Sequence, residues 1–554
     1  MAEMRTGWGC LGLCAVLLWG GCSPVTGDEE ERAAESGQSL SNAGAPFVLP
    51  PLQNAVPLYS IEIDPKLLAK FERDEDTPEQ PAVFITPDGE RRTIQMRLRG
   101  NSSRGWPKKS WRLELPKGEK FDGRRKINLL SEWRDSTLMF EKLGYDLLAA
   151  MNVTAPRATY VRLVINGRFQ GVYLDLERVD KPFMENHGFE EDAGTVYRCG
   201  GKNCEMKLSV DKDYQRDWEV SSPEDGPQEP MRRFLERVNR TPEPELVQTL
   251  SEHFELEQHL RQMAMDALMS NDTVEDSRSY LVHDGVSGRM TYVPWDLNNT
   301  SSVYVPSNPP TGKRKDADYE HALLDFTVFD PLVEEEYLKR VDKEPKRGWK
   351  PIFSNLNTRI LLHPELRARQ LALIERALDE LFVPAVMNAR IDAIHALLKP
   401  YVLESPSHTD RVQFNDGPRY MKRYVERRTG FLRKELARWR AFNPSLVIQA
   451  VNAQQGWLEL RNLGTQPLST SGLVLTVDLR SAKKRNVPTV TLEPGQTARF
   501  TASQLGVTLA PGGEVGLFNG KSVVGVLDAL YYGALPSGQW YERDPATPSR
   551  WRVR

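Results

Sequence analysis

Cysteine and histidine are both scarce in this chain. Five cysteines are spread over 554 residues, and three of them, Cys10, Cys14 and Cys22, stand in the first 22. So few cannot build a disulfide scaffold. The eight histidines show no HExxH-type ligand spacing, which argues against a zinc hydrolase. GxSxG and Walker A motifs are also absent, so an α/β-hydrolase or a P-loop NTPase lacks its required element. Charge of one sign is missing too. With 73 basic against 76 acidic side chains the net charge is −3, which gives no general reason to expect a nucleic-acid partner. Long apolar runs are confined to the start, which excludes a multi-pass membrane protein. What is present is length enough for about two to four domains and a supply of carboxylates, asparagines, lysines and arginines on strands and loops. Hard oxygen ligands and cationic clamps of that kind suit Mg²⁺ and phosphate.

Residues 1–22 read MAEMRTGWGCLGLCAVLLWGGC. Arg5 precedes an apolar stretch from Leu11 to Trp19, too short to span a membrane and right for an export signal. The end, Leu18-Trp19-Gly20-Gly21-Cys22, resembles the lipobox of bacterial lipoproteins. That implies acylation of Cys22 and a protein lipid-anchored in the cell envelope, or secreted. Residues 23–50 are polar without period and read as a disordered tether. Beyond it only Cys199 and Cys204 remain, in YRCGGKNCEM. In an oxidising compartment they are the expected disulfide.

Ordered patterning begins after the tether. Ile94, Met96 and Leu98 alternate with polar residues as on a half-buried strand, and Trp111, Leu113 and Leu115 do so after the loop RGNSSRGWPKK. Asp135-Ser136 is a cap signal for a helix carrying Leu138, Leu143, Leu147 and Leu148. TYVRLVI and FQGVYLDLE flank an Asn166-Gly167 turn, a hairpin signature. On its return strand Val172, Leu174 and Leu176 share one face, and Tyr173, Asp175 and Glu177 the other, polar one. Residues 254–270 are helical by their three- and four-residue spacing. SYLVH and MTYVPW are strands joined by a turn at Ser287-Gly288, and 364–440 is mostly helical. From about 445 the helical period vanishes. Short β-like runs split by turns such as EPG and APGG predict a small β-sandwich. The fold class is therefore α+β followed by an all-β module, in four parts: 1–22, 23–50, 51–442 and 443–554.

Three segments carry chemistry. The loop from Arg97 to Leu113 packs glycines, serines and cations between two strands. Backbone amides freed by glycine approach phosphate oxygens, and a lysine at the next strand can reach them. Glu177, at the end of the hairpin, is placed to orient such a lysine. Asp272 follows the 254–270 helix, and Asp296 follows the two short strands. Joined by a hairpin, those two carboxylates can converge on one site, one near a nucleophile and one on a metal, as in protein kinases.

RGNSSRGWPKKSWRLEL, INGRFQGVYLDLERVDKPFM, VYRC and YLVHDGVSGRMTYVPWDLN occur in the same order as in the CotH (spore-coat protein H) kinase family, which residues 56–440 resemble. The resemblance implies a divergent two-lobed protein-kinase-like fold that uses ATP and Mg²⁺ to phosphorylate an exported protein. It casts Asp272 as the catalytic aspartate and Asp296 and Asn298 as metal ligands. Lys109 becomes the nucleotide lysine with Glu177 as its partner, and Arg99 and Arg104 become phosphate contacts. Two positions depart from the family pattern. Arg278 stands where an asparagine is usual, and Asn298 where a second aspartate is common. A catalytically inert, kinase-like scaffold at the cell surface is the alternative they imply. WLELRNLG, SGLVLTVD, LEPGQTARF, LAPGGEVGLFN and VVGVLDALYYG look like a lamin-tail domain, an immunoglobulin-like sandwich whose ligand the sequence does not name.

Overall fold

The structure, a computed structural model, describes residues 46–100, 102–133, 135–190, 194–199, 206, 218–271, 279–297, 354–405, 411–441, 444–479, 484–520 and 526–554. The expected leader, Asp272, Arg278, Asn298 and Cys204 lie outside them. Cys199 is disulfide-bonded. The compact body runs from Phe47 to Arg554. It therefore begins inside the expected tether: Phe47 is buried and its backbone N–H donates to Glu380 at 3.0 Å.

Seven strands close into a barrel: β1 (Leu58–Glu62), β2 (Gln80–Ile85), β3 (Arg91–Leu98), β4 (Trp111–Glu114), β5 (Lys126–Leu130), β6 (Ala158–Ile165) and β7 (Arg168–Leu176). Their order around it is β1-β2-β3-β4-β5-β7-β6, and the parallel pair β1–β6 seals the ring. Period-2 alternation turns Ile61, Phe84, Met96, Leu113, Ile127 and Leu163 inward, where they form a core of their own. Helix α1 (Pro65–Arg73) adds Phe71 to that core. The hairpin turn is as expected, with Asn166 and Gly167 at φ 49° and 74°, the geometry of a two-residue turn that favours Asn-Gly.

The expected outward polar face of β7 is not one. The barrel core covers one face of this strand and the larger core outside covers the other, so both faces are buried. Tyr173 lies in the barrel core, while Leu174 and Leu176 join the larger core outside. Asp175 is held inside by both guanidinium nitrogens of Arg124, at 2.7 and 2.9 Å, and by the Tyr59 hydroxyl at 3.0 Å.

Outside the barrel, helix α2 (Phe140–Ala150) starts a few residues after the Asp135-Ser136 signal. Asp135 still acts at the helix start, its carboxylate accepting the N–H groups of Met139 and Phe140 at 2.8 and 2.9 Å. Helix α3 (Lys181–Asn186) follows β7. Next, β8 (Thr195–Cys199), β9 (Trp218–Ser222), β10 (Ser279–His283) and β11 (Met290–Pro294) form a sheet in the order β11-β10-β8-β9. Helices α4 (Glu229–Arg240), α5 (Leu246–His253), α6 (Leu256–Met269), α7 (Asn355–Leu362), α8 (Pro364–Glu380), α9 (Pro384–Glu404) and α10 (Arg411–Ala441) pack with it around the largest apolar core. Among the described residues no single helix is long and apolar enough to cross a membrane.

The C-terminal part is all β apart from one short helix. Leu446–Asn452 and Trp457–Asn462 belong to a five-stranded antiparallel sheet, and Leu473–Thr476, Gly513–Asn519 and Val526–Tyr532 to a four-stranded one. Ile448, Leu460, Leu475, Leu517 and Leu530 share one core between them. This part docks on α7. The Arg359 guanidinium lies over the Tyr531 ring, 4.3 Å from its centroid, and the Tyr531 hydroxyl donates to Asn355 Oδ1 at 3.1 Å.

Candidate functional site

The outer side of the barrel at β3, the start of α2 and the segment after β11 meet. Trp295 stacks edge-on against Tyr280 of β10, ring centroids 5.4 Å apart, and the Arg99 guanidinium lies over the Trp295 ring at 5.3 Å. Leu297 is fully buried against α2. A Cβ at Gly144 would stand 2.9 Å from Leu297 Cδ1, so a larger residue there would displace the Leu297 side chain. Asp296, between these anchors, has φ 60°, and Glu132, in the loop after β5, has φ 49°. Left-handed backbone at residues other than glycine is uncommon and concentrates at functional sites.

Carboxylates gather here. Glu141, in the first turn of α2, lies beside Glu132, and the like charges of two buried carboxylates oppose their joint ionisation. Burial, then the charges of Glu132 and Asp296, hold Glu141 well above the usual carboxylate range. Burial and the neighbouring Asp135 also push Glu132 up. Glu141 Oε1 and, one turn along, the Tyr145 hydroxyl are buried without a hydrogen-bond partner. Both side chains lie within electrostatic reach of Asp296 and Arg99. Among the described residues no three His, Cys, Asp or Glu side chains are grouped closely enough to hold a metal ion by themselves.

The residues expected from sequence divide. Arg99 and Asp296 come together. Arg104 is turned away, its guanidinium on Asp76 at 2.6 Å. Lys109 donates to the Arg104 carbonyl, not to Glu177. Glu177 is fully engaged elsewhere, by Asn186 Nδ2 and His187 Nε2, each at 2.9 Å, and by the backbone and guanidinium of Arg157. Burial works to raise Glu177, but those hydrogen bonds overcome it and hold it at about 2. Of the two lysines it is Lys108 that lies near Glu132, although its Nζ donates to the Val172 carbonyl and not to a carboxylate. It is buried, with Nζ over the Tyr173 ring at 4.4 Å and Glu132 as its acidic neighbour. Burial pushes it down to about 7. Adjacent lysines ahead of a strand cannot be told apart before the strand's first residue is known. Glu141 and Tyr145 had a fainter signal, two polar groups four apart on one face of an apolar helix.

Known proteins share this domain. The family model of the CotH kinase protein matches residues 96–432, more than half of the chain. The chain belongs to the CotH kinase family. It is also 25% identical over 392 residues to the inner spore coat protein H of Bacillus subtilis (strain 168), an alignment covering 70% of this chain and 99% of that protein. Arg99, Lys108, Glu132, Glu141 and Asp296 all fall within the CotH domain, and the C-terminal sheets fall outside it.

The CotH domain also fixes the end of α6, which leads to Asp272. Arg428 of α10 is fully buried and donates to the Ala267 carbonyl, with Nε at 2.9 Å. The Tyr424 hydroxyl reaches the Leu268 carbonyl at 3.0 Å and Ser270 Oγ at 2.8 Å. A buried polar chain runs along α6. Asn357 bonds to His259, His259 to Gln262, Gln262 to Asp266, and Asp266 to Asn271, at 2.7, 3.1, 3.0 and 2.6 Å. Side chains holding the last carbonyls of a helix fix where the chain leaves it.

Proposed function

We propose that the CotH domain is an atypical protein kinase that transfers the γ-phosphoryl group of ATP to a Ser or Thr hydroxyl of an exported protein. The observation that carries this reading is the meeting of Asp296, Arg99 and the Glu132–Glu141 pair between the barrel and α2, in a chain of the CotH family. In this reading the barrel and the helical part are the two lobes of a divergent kinase fold.

The all-oxygen donor set, and a Glu141 oxygen left without a partner, fit a hard divalent cation better than a soft one. Asp296 would hold Mg²⁺, with Asn298 as a further ligand. When bound, that ion supplies charge neutralisation on the phosphates. In this reading Asp272 orients the acceptor hydroxyl and takes its proton, and the contacts of Arg428 and Tyr424 hold the end of α6 that precedes it in the chain. Arg99 stabilises charge spread over the transferring group, in the role expected of Lys109. Catalysis of this kind is positioning and electrostatics.

Export as a Cys22-anchored lipoprotein belongs to the same proposal, supported by the leader sequence and by the coat location that the Bacillus relative's name states for that protein. The C-terminal sheets are proposed to be a lamin-tail domain of immunoglobulin type that binds or anchors. Arg278 and Asn298 favour a second reading, a non-catalytic scaffold at the cell surface. Two measurements separate the readings. A kinase shows a Mg²⁺-dependent rise of melting temperature with ATP, and transfer of label from γ-labelled ATP that is lost in Asp272→Ala and Asp296→Ala. A scaffold shows neither.

A further inference from the structure

The outer wall of β3 and β4 carries more positive charge than its own packing uses. Arg97 and Arg112 are directly opposite each other across the strand pair. Both point outward, because Met96, Leu98, Trp111 and Leu113 fill the barrel core. Like charges directly opposite destabilise a strand pair. Arg99 continues the row two residues on, roughly 7 Å along the strand, and ends over Trp295 beside Asp296. Arg178, just past β7, closes the wall from the other side. Burial, then the charges of Arg178, Arg97 and Arg99, push Arg112 down to about 10, opposed by Glu114. The nearby carboxylates are engaged: Glu79 with Arg97 at 3.2 Å, Asp180 with Arg178 at 3.3 Å, and Glu114 with Arg125 at 2.8 Å. Arg112 Nε is buried without a partner, and the side chain makes no hydrogen bond or ion pair among the described residues. A partly buried guanidinium without a counter-charge is costly, and an anion relieves it.

We propose that Arg97, Arg99, Arg112 and Arg178 form a binding site for a phosphoanhydride chain, gripped through its oxygens and not through a base. The guanidinium groups form a row, so the complementary ligand is an extended anion with several charges, not a single phosphate. Guanidinium forks match phosphate oxygens bidentately. A nucleoside triphosphate and an inorganic polyphosphate both offer this chemistry. The inference deepens the donor-site reading above and rests on it only for the transfer step after binding.

Titration calorimetry on the full chain, with ATP, inorganic tripolyphosphate and adenosine as separate probes in Mg²⁺, tests it. ATP and tripolyphosphate are expected to bind within about tenfold of each other, and adenosine not to bind. Arg112→Met is expected to weaken both by about tenfold or more. It should leave the unliganded melting temperature unchanged or higher, because the repulsion with Arg97 is gone. Arg178→Met gives a second, independent loss. Adenosine binding without tripolyphosphate binding overturns the proposal. So does an Arg112→Met protein that melts lower yet binds tripolyphosphate as before, since that is the mark of a structural arginine. Transfer from ATP without tripolyphosphate binding overturns it while leaving the kinase reading standing. Tripolyphosphate binding without any transfer supports it and removes the kinase reading.

Discussion

Glu177 shows how much the partners of a residue decide. As sequence it is a carboxylate at a strand end, free to orient a lysine. In the fold it accepts hydrogen bonds from Arg157, Asn186 and His187, and it ties the end of β7 to α3. Its folded pKa is depressed, from 4.5 to about 2. The stability it contributes is therefore fully present above about 4.5, and is lost as pH falls from there toward 2. Glu177→Gln is expected to cost about 2–3 kcal/mol at neutral pH and to flatten the acid side of the stability profile, read from urea midpoints between pH 2 and 7. The lysines behave in the same way. Lys108 and Lys109 are chemically equal in the sequence, yet one is buried beside Glu132 and the other hydrogen-bonds to the carbonyl of Arg104. The start of β4 at Trp111 decides which.

At the scale of elements, α6 was the most legible part. Its apolar spacing predicts a helix over 254–270, and the helix is Leu256–Met269. The polar residues inside that spacing were not legible, because their partners come from α7 and α10. His259 is fully enclosed, and burial depresses it from 6.5 to about 4, against the pull of the Asn357 and Gln262 amide oxygens that face its ring nitrogens as acceptors. The unfolded chain takes up a proton in that window and the folded one does not. Stability is therefore complete above 6.5 and falls as pH drops toward 4, by up to about 3 kcal/mol. His259→Gln is expected to lose this pH dependence, measured as melting temperature against pH. Arg428→Met leaves the Ala267 carbonyl without its donor, at a cost of about 1–3 kcal/mol. If α6 positions Asp272, its kcat falls further than its KM rises.

Over the whole molecule, the C-terminal sheets are not an appendage on a free linker. Arg359 is fully buried, donating to the carbonyls of Val238 and Thr241 while its face covers Tyr531. Leu362 packs against Val474, Phe518 and their neighbours. Tyr531→Ala removes the ring on which a buried guanidinium rests and leaves Asn355 short of a donor. Calorimetry is expected to show one cooperative transition for the parent chain and two for this variant, the lower one from the C-terminal sheets. A parent chain that already melts in two steps would show that the interface does not couple the parts.

Local chemistry settled what could be read locally. The Asn166-Gly167 hairpin, the strand alternation around Met96 and Leu113, the α6 helix and the change of texture near residue 445 each depend on neighbours within a few positions, and side-chain period and turn geometry act over that range. Closure of the barrel through the parallel pair β1–β6, the burial of both faces of β7, and the meeting of Arg99 with Trp295 and of Glu141 with Glu132 depend on segments far apart in the chain. Those were decided by the burial of two separate apolar cores, and the charges went wherever that packing carried them.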